Sequence, residues 1–145
     1  MKIEKIDRFV IAVRDVNKAA EFLGDLLGAE FDEPIEAKDM NTRVRYSALG
    51  LQLNEGMTAD SDVSKIIERR GEGFYCLVLK VDDLDEATKE MKAKGIRQVG
   101  SVAVGNLRES VFHPKDTFGV MMVLCSYPTK HQATVAALEF EPKRK

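Results

Sequence analysis

Two stretches decide the fold: residues 6–22, IDRFVIAVRDVNKAAEF, and residues 74–90, FYCLVLKVDDLDEATKE. Each begins with a run of β-branched and aromatic residues, which is typical of a strand. An aspartate that can cap a helix follows, Asp15 in the first stretch and Asp83 in the second, and apolar residues then recur at helical spacing. The two aspartates have the same offset, 68 residues, as the stretches themselves. The sequence therefore predicts one strand–helix unit that occurs twice.

Shorter strand-like segments follow each helix, at about 29–35, 42–49 and 51–55 in the first half and about 97–103, 108–113 and 119–126 in the second. The chain thus has the pattern β-α-β-β-β twice, the kind of internal repeat that determines a fold. We predict an α+β fold in which two βαβββ modules form a curved, concave sheet with the helices on its outer face. A concave sheet of this kind is a natural site for a small molecule.

The expected organisation is a single domain over residues 1–145, which is enough chain to bury a core. Its predicted parts are module one at about 4–56, a polar and partly helical connector at about 57–72, module two at about 73–127, and a C-terminal tail at 128–145. The sequence of the tail predicts a short helix over Gln132–Leu138, followed by a charged and frayed end.

Composition excludes several classes of partner. The net charge is −2, so no basic field favours nucleic acid or an anionic membrane. No apolar run approaches the roughly 20 residues of a membrane-spanning helix, and the first residues lack the apolar stretch of a secretory signal. Cys76 and Cys125 lie in apolar runs without metal-ligand spacing, which favours free thiols in a reducing compartment over a disulfide. We expect a cytoplasmic protein.

Three stretches resemble the vicinal-oxygen-chelate, or glyoxalase-like, superfamily over nearly the whole chain. They are IDRFVIAVRDVNKAAEFLGDLLGAEF at 6–31, GEGFYCLVLKVDDLDEATKEMKAKGI at 71–96, and HPKDTFGVMMVL at 113–124. The last is similar to the closing hairpin of methylmalonyl-CoA epimerases and their relatives. In metal-dependent families of this superfamily, each half supplies two ligands to one divalent ion, which stabilises an enolate while a base moves a proton.

The resemblance places the four ligand positions on Arg8, Gln52, Cys76 and Val123. Arginine and valine have no lone pair for a metal, and glutamine and cysteine differ too much in softness to make a good pair. The resemblance therefore implies that the metal centre is lost, and we expect neither a metal nor a cofactor.

These four residues are candidates for ligand binding, together with Arg45, Arg108 and Ser110 from other strands. Arg8 either holds an anionic or carbonyl oxygen of the ligand or forms a structural ion pair. If the three arginines share the concave face, they make it anion-selective; the alternative is a solvated sheet edge. Cys76 is expected to be an inert residue that lines the cavity. The sequence selects no catalytic residue, although Glu109, Tyr46 and Tyr75 are available as bases.

Two functions remain open. The first is metal-independent binding of a small organic ligand in the concave sheet, as in proteins similar to the bleomycin-resistance proteins. The second is an isomerase or lyase, related to methylmalonyl-CoA epimerase or lactoylglutathione lyase, that acts without the usual metal. An oxygenase is disfavoured because the iron ligands are missing. In either case the resemblance and the exposed sheet edges predict a homodimer.

Overall fold

The computed structural model of the chain describes residues 1–128, so the predicted tail helix at Gln132–Leu138 lies outside the described residues. Within these residues there are eight strands: β1 Ile3–Ala12, β2 Ile35–Ala37, β3 Thr42–Tyr46, β4 Leu51–Gly56, β5 Gly73–Val81, β6 Gln98–Val104, β7 Leu107–Phe112 and β8 Met122–Ser126. The α-helices of the same range are α1 Val16–Leu27, α2 Asp62–Arg70 and α3 Leu84–Ala93. Their order confirms the predicted α+β fold with two β-α-β-β-β units and a helical connector.

The helices begin and end where the sequence provides caps. The Asp15 carboxylate accepts hydrogen bonds from the backbone N–H groups of Asn17 and Lys18, and Gly28 ends α1 in a left-handed conformation with φ of 66°. Asp83 caps α3 in the same way through the N–H of Glu86. Within residues 1–128, no helix combines the length and the apolar character needed to cross a membrane.

The described chain forms two compact units. The central unit is Phe9–Tyr75, and the terminal unit combines Met1–Arg8 with the chain from Cys76 onward. The boundaries lie inside β1 and β5, whereas the predicted modules divide at the connector. The reason is that the first part of β1 lies beside β5: the N–H of Asp82, just after β5, donates to the carbonyl of Lys2 at 3.3 Å.

In the central unit the strand order is β2-β3-β4-β1, and β1 and β4 are parallel with Val10 opposite Gln52. The helix α1 packs on one face of these strands, where buried Val16 and Ala20 contact Leu53. On the opposite face, α2 packs against Ala12 through buried residues Val63 and Ile67. The connector helix is therefore part of the core and covers one end of the face that α1 leaves open.

In the terminal unit the order is β1-β5-β8-β7-β6, and β5 and β8 are parallel with Val78 opposite Val123. The helix α3 packs on one face, where Leu84 and Ala87 contact buried core residues from the strands: Val81, Phe112 and Leu124. The pair Val78–Val123 corresponds to Val10–Gln52 of the central unit. The internal repeat thus extends to strand pairing and places Arg8 and Cys76 at equivalent positions.

Candidate functional site

The site lies on the face of the terminal unit opposite α3, which we call the site face and define by Arg8, Cys76, Val123 and Glu109. Strand alternation creates it. Because Leu124 packs beneath α3, its neighbour Val123 points the other way. Glu109 is paired with Cys125 in the β7–β8 ladder and therefore shares this face.

A buried ion-pair network occupies the β1 side of the site face. The Arg8 side chain is only 4% exposed. Its Nε donates to Oδ2 of Asp7 at 2.8 Å, and its Nη2 donates to the Glu109 carboxylate. The Tyr127 hydroxyl donates to the other Asp7 oxygen. One guanidinium therefore lies between two carboxylates, and a phenol holds the more deeply buried of the two.

The protonation of Asp7 follows from these contacts. Burial alone would raise the pKa of this carboxyl group. The charge of Arg8, together with hydrogen bonds from Tyr127 and Arg8, outweighs burial and holds the pKa of Asp7 below its usual range. Burial and the hydrogen bond to Asp7 also raise the pKa of Tyr127, so its hydroxyl remains a donor. The structural ion pair considered for Arg8 from the sequence is therefore present, and the Arg8 charge is balanced within the protein.

The two cysteines are buried free thiols. Burial raises the pKa of Cys76 to about 12, with a further contribution from the negative charge of Glu109 and a smaller opposing effect of Arg8. Burial also raises the pKa of Cys125 to about 12. Both groups are protonated at neutral pH, and a protonated thiol is not a nucleophile.

Gln52 belongs to the central unit, where it is buried on the face opposite α1. Its Nε2 donates to Oδ1 of Asn54 at 2.7 Å, and this neighbour two residues along the strand is also buried. Because alternation points Leu53 toward α1, Gln52 and Asn54 share the other face. The predicted orientation of Gln52, away from its leucine neighbours, is therefore present in the central unit.

Three of the candidate ligand-binding residues, Arg45, Arg108 and Ser110, lie on the helix-covered face of their unit, which contradicts their placement on the concave face; for the two arginines the sequence had left that placement open. Arg45 donates to the carbonyls of Asp32 and Phe31 and to the side chain of Asn17 on α1. Arg108 forms an exposed ion pair with Asp85 of α3. Ser110 is hydrogen bonded to Thr88 of α3. Period-two alternation identifies residues that share a face, but it does not say which face a helix covers.

The sequence profile of the Glyoxalase/Bleomycin resistance protein/Dioxygenase superfamily matches residues 7–112. The chain belongs to this superfamily.

Among its relatives, the mitochondrial methylmalonyl-CoA epimerase of Mus musculus is 28% identical over 130 residues, covering 85% of this chain and 73% of the relative. The crystal structure of methylmalonyl-CoA epimerase from Mycobacterium tuberculosis is 28% identical with a TM-score of 0.81, covering 88% of this chain and 91% of the other. A variant of the Streptomyces coelicolor epimerase in complex with 2-nitronate-propionyl-CoA is 26% identical, also with a TM-score of 0.81, and covers 88% and 100%.

The residues that the resemblance places at the metal-ligand positions do not fit a divalent ion. In the terminal unit, Arg8 is a cation bound to two carboxylates and Val123 has no donor atom, so Cys76 is the one possible ligand among these three residues. Cation repulsion and the missing lone pairs both oppose a metal here. Across residues 1–128, no three His, Cys, Asp or Glu side chains are grouped so that they could hold one.

Sequence reasoning missed two members of the site, Asp7 and Tyr127, and considered Glu109 only as a base. A signal for the first was present: a buried arginine in an apolar strand needs counter-charges, and Asp7 is its direct neighbour. No local pattern links Arg8 to Glu109 or Asp7 to Tyr127, because these pairs are 101 and 120 residues apart.

Proposed function

We propose that this superfamily member binds the acyl part of a CoA thioester on the site face without a divalent ion. The observation that carries the proposal is the Arg8 network. A guanidinium held by Asp7 and Glu109 lies where the resemblance puts the first metal ligand, so a cation is already built into the protein. The CoA thioester is suggested by a related epimerase that was solved with 2-nitronate-propionyl-CoA.

The chemistry of the site face favours an uncharged acyl group. Val123 lies beside Val78 and Val111 in the strand pairing, and the Cys76 thiol is neutral. Arg8 is already paired with Asp7 and Glu109, and Lys5 lies 3.6 Å from Asp7, so a further carboxylate on the ligand would have to compete with these two carboxylates for the charge of Arg8. Propionyl-CoA is therefore expected to bind more tightly than methylmalonyl-CoA, which carries a free carboxylate.

Thermal melting tests the binding and the metal separately. EDTA is expected to leave the melting temperature unchanged, whereas saturating propionyl-CoA should raise it. A ligand at a hundred times its dissociation constant stabilises a protein by about 2.7 kcal/mol. A fall with EDTA that zinc, cobalt or manganese reverses would show that the protein needs a metal. No shift with any acyl-CoA would rule out the proposed ligand.

A second candidate function is an isomerase or lyase that acts on the same kind of ligand. Two observations favour it: several relatives are epimerases, and the Glu109 carboxylate is 12% exposed on the site face, where it could accept a proton. The α-proton of propionyl-CoA or methylmalonyl-CoA should then exchange with deuterium oxide, as measured by mass spectrometry. Glu109→Gln should abolish the exchange. If the protein binds an acyl-CoA but does not catalyse this exchange, the result would support a binding protein and contradict the isomerase or lyase.

We also propose that the protein forms a homodimer. The strands β2 and β6 are sheet edges in their respective units, and the side chains of Phe22 and Leu26 on α1 are each 65% exposed. Unpaired edges and apolar surface are features that proteins commonly cover by association. Light scattering at micromolar concentration should give about twice the mass of one chain. A mass of 16.2 kDa, that of one chain, would contradict the dimer.

A further inference from the structure

The turn His113–Gly119 carries an aromatic residue whose solvent exposure and backbone conformation are both unfavourable. Phe118 is completely exposed, and its backbone is left-handed with φ of 60°. A non-glycine residue in this conformation costs roughly 1–2 kcal/mol, and glycine would avoid that cost. An exposed phenyl ring adds no burial to offset it. A residue that is unfavourable on both grounds indicates a role other than folding.

The turn is tightly held, so the exposure of Phe118 is a property of an ordered segment. The N–H of Gly119 donates to the carbonyl of Pro114 at 2.8 Å, and the Thr117 hydroxyl donates to the carbonyl of Val120 at 2.7 Å. Asp116 accepts from Nε and Nη2 of Arg97 at 2.9 and 3.0 Å. Stacking on Phe118 would therefore order its side chain alone, because the backbone of the turn is already held.

The charge of the turn suits an anionic partner. Lys115 is exposed and forms no ion pair with any residue of the described range 1–128, whereas Asp116 is neutralised by Arg97. The turn therefore presents a phenyl ring and an uncompensated ammonium group. A purine ring that carries phosphate groups matches this pair, since bases stack on aromatic side chains and phosphates are attracted to lysine.

The position of the turn is also suitable. Phe118 precedes Val123 of the site face by five residues, so their Cα atoms are separated by at most about 18 Å. In an acyl-CoA, the phosphopantetheine arm separates the thioester from the adenine ring. An acyl group at Val123 and an adenine ring at Phe118 can thus belong to one ligand.

We propose that Phe118 stacks on the adenine ring of the bound CoA thioester and that Lys115 meets its phosphate groups. This subsite rests on the proposed function, because it requires a CoA ligand on the site face. It adds a contact with the nucleotide part of the ligand, which the candidate positions Arg8, Gln52, Cys76 and Val123 do not provide.

The experiment compares two ligands that share the acyl group, propionyl-CoA and propionyl-pantetheine, which lacks the nucleotide. Phe118→Ala is expected to weaken propionyl-CoA binding about 5- to 100-fold by calorimetry, the range that base–aromatic stacking supplies. Its affinity for propionyl-pantetheine should not change. Phe118→Tyr keeps a stacking ring and should bind like the parent. Leu49→Ala removes an exposed apolar side chain from the turn between β3 and β4 of the central unit and should have no effect on either ligand.

The outcomes separate this inference from the proposed function. If the parent binds neither ligand, the acyl site and the adenine subsite are both wrong. If the parent binds both ligands and Phe118→Ala binds propionyl-CoA equally well, only the subsite is wrong. A Phe118→Ala variant that changes oligomeric mass but not affinity would place Phe118 in a protein interface, which also overturns the subsite.

Discussion

Replacing Arg8 with methionine is expected to lower the free energy of unfolding at pH 7 by about 3–5 kcal/mol, the usual cost of removing one partner from a buried ion pair. Methionine fills a similar volume but removes the cation from Glu109 and the closer of two cations from Asp7, which keeps only Lys5 at 3.6 Å. The sequence left open whether Arg8 binds the ligand or forms a structural ion pair. The observed network favours the second alternative, so most of the effect should be on stability. Urea denaturation monitored by circular dichroism measures it.

Arg108→Met is the matched control, because Arg108 forms an exposed ion pair with Asp85 on the helix-covered face. Surface pairs of this kind contribute about 0–1 kcal/mol, so this variant should unfold almost like the parent. Equal stabilities of the two variants would mean that the Arg8 network does not stabilise the fold.

The effect of Arg8→Met should also depend on pH, with a definite sign. In the parent, the pKa of Asp7 is lowered, so its contribution to stability is present above its ordinary pKa and is lost as pH falls through the folded value. In the variant, the lowering effects of Arg8 are gone while those of Tyr127 and Lys5 remain, so the pKa of Asp7 is higher than in the parent. Asp7 of the folded variant then takes up its proton at a higher pH than Asp7 of the folded parent, and the variant loses less stability as pH falls. The stability difference between parent and variant should therefore be smaller below the ordinary pKa of 3.8 than at pH 7.

Both thiols of the native protein should react with iodoacetamide about a thousandfold more slowly than an unfolded cysteine. The thiolate is the reactive form, and each unit by which the pKa is raised lowers its population tenfold. The pKa values of Cys76 and Cys125 are both raised to about 12 from an ordinary value near 9.0. Intact-mass spectrometry at pH 8 should show unmodified protein after a pulse that fully labels the same protein in guanidinium chloride.

Rapid labelling of Cys76 in the native protein, located by peptide mapping, would contradict this prediction. It would mean that the site face contains a reactive thiolate, and a nucleophilic mechanism would then have to be considered. Cys125 serves as an internal control, because it lies on the same face and is also buried. Similar slow labelling of both thiols would support burial as the common cause.

The sequence by itself determined the order of the elements and the repeat. The caps at Asp15 and Asp83 and the alternation of the strands are local properties, encoded within a few residues of where they act. The offset of 68 residues also identifies Arg8 and Cys76 as equivalent positions of the repeat from the sequence alone. The strand pairing of Val10 with Gln52 and of Val78 with Val123 agrees with that alignment.

Only the tertiary structure decided which residues these positions contact. One partner of Arg8 is Glu109, which is 101 residues away in the sequence. No periodic pattern in a sequence indicates a contact between residues that far apart. The same limit applies to Arg45 and Arg108. Strand alternation indicates that each arginine points away from its sequence neighbours, but the packing of α1 and α3 determines which face of the strands a helix covers. Phe118 is a further case, since its exposure and its left-handed backbone depend on the hydrogen bonds of the folded turn. The physical reason is that strand pairing and helix packing are non-local, so they bring together residues whose proximity no local pattern encodes.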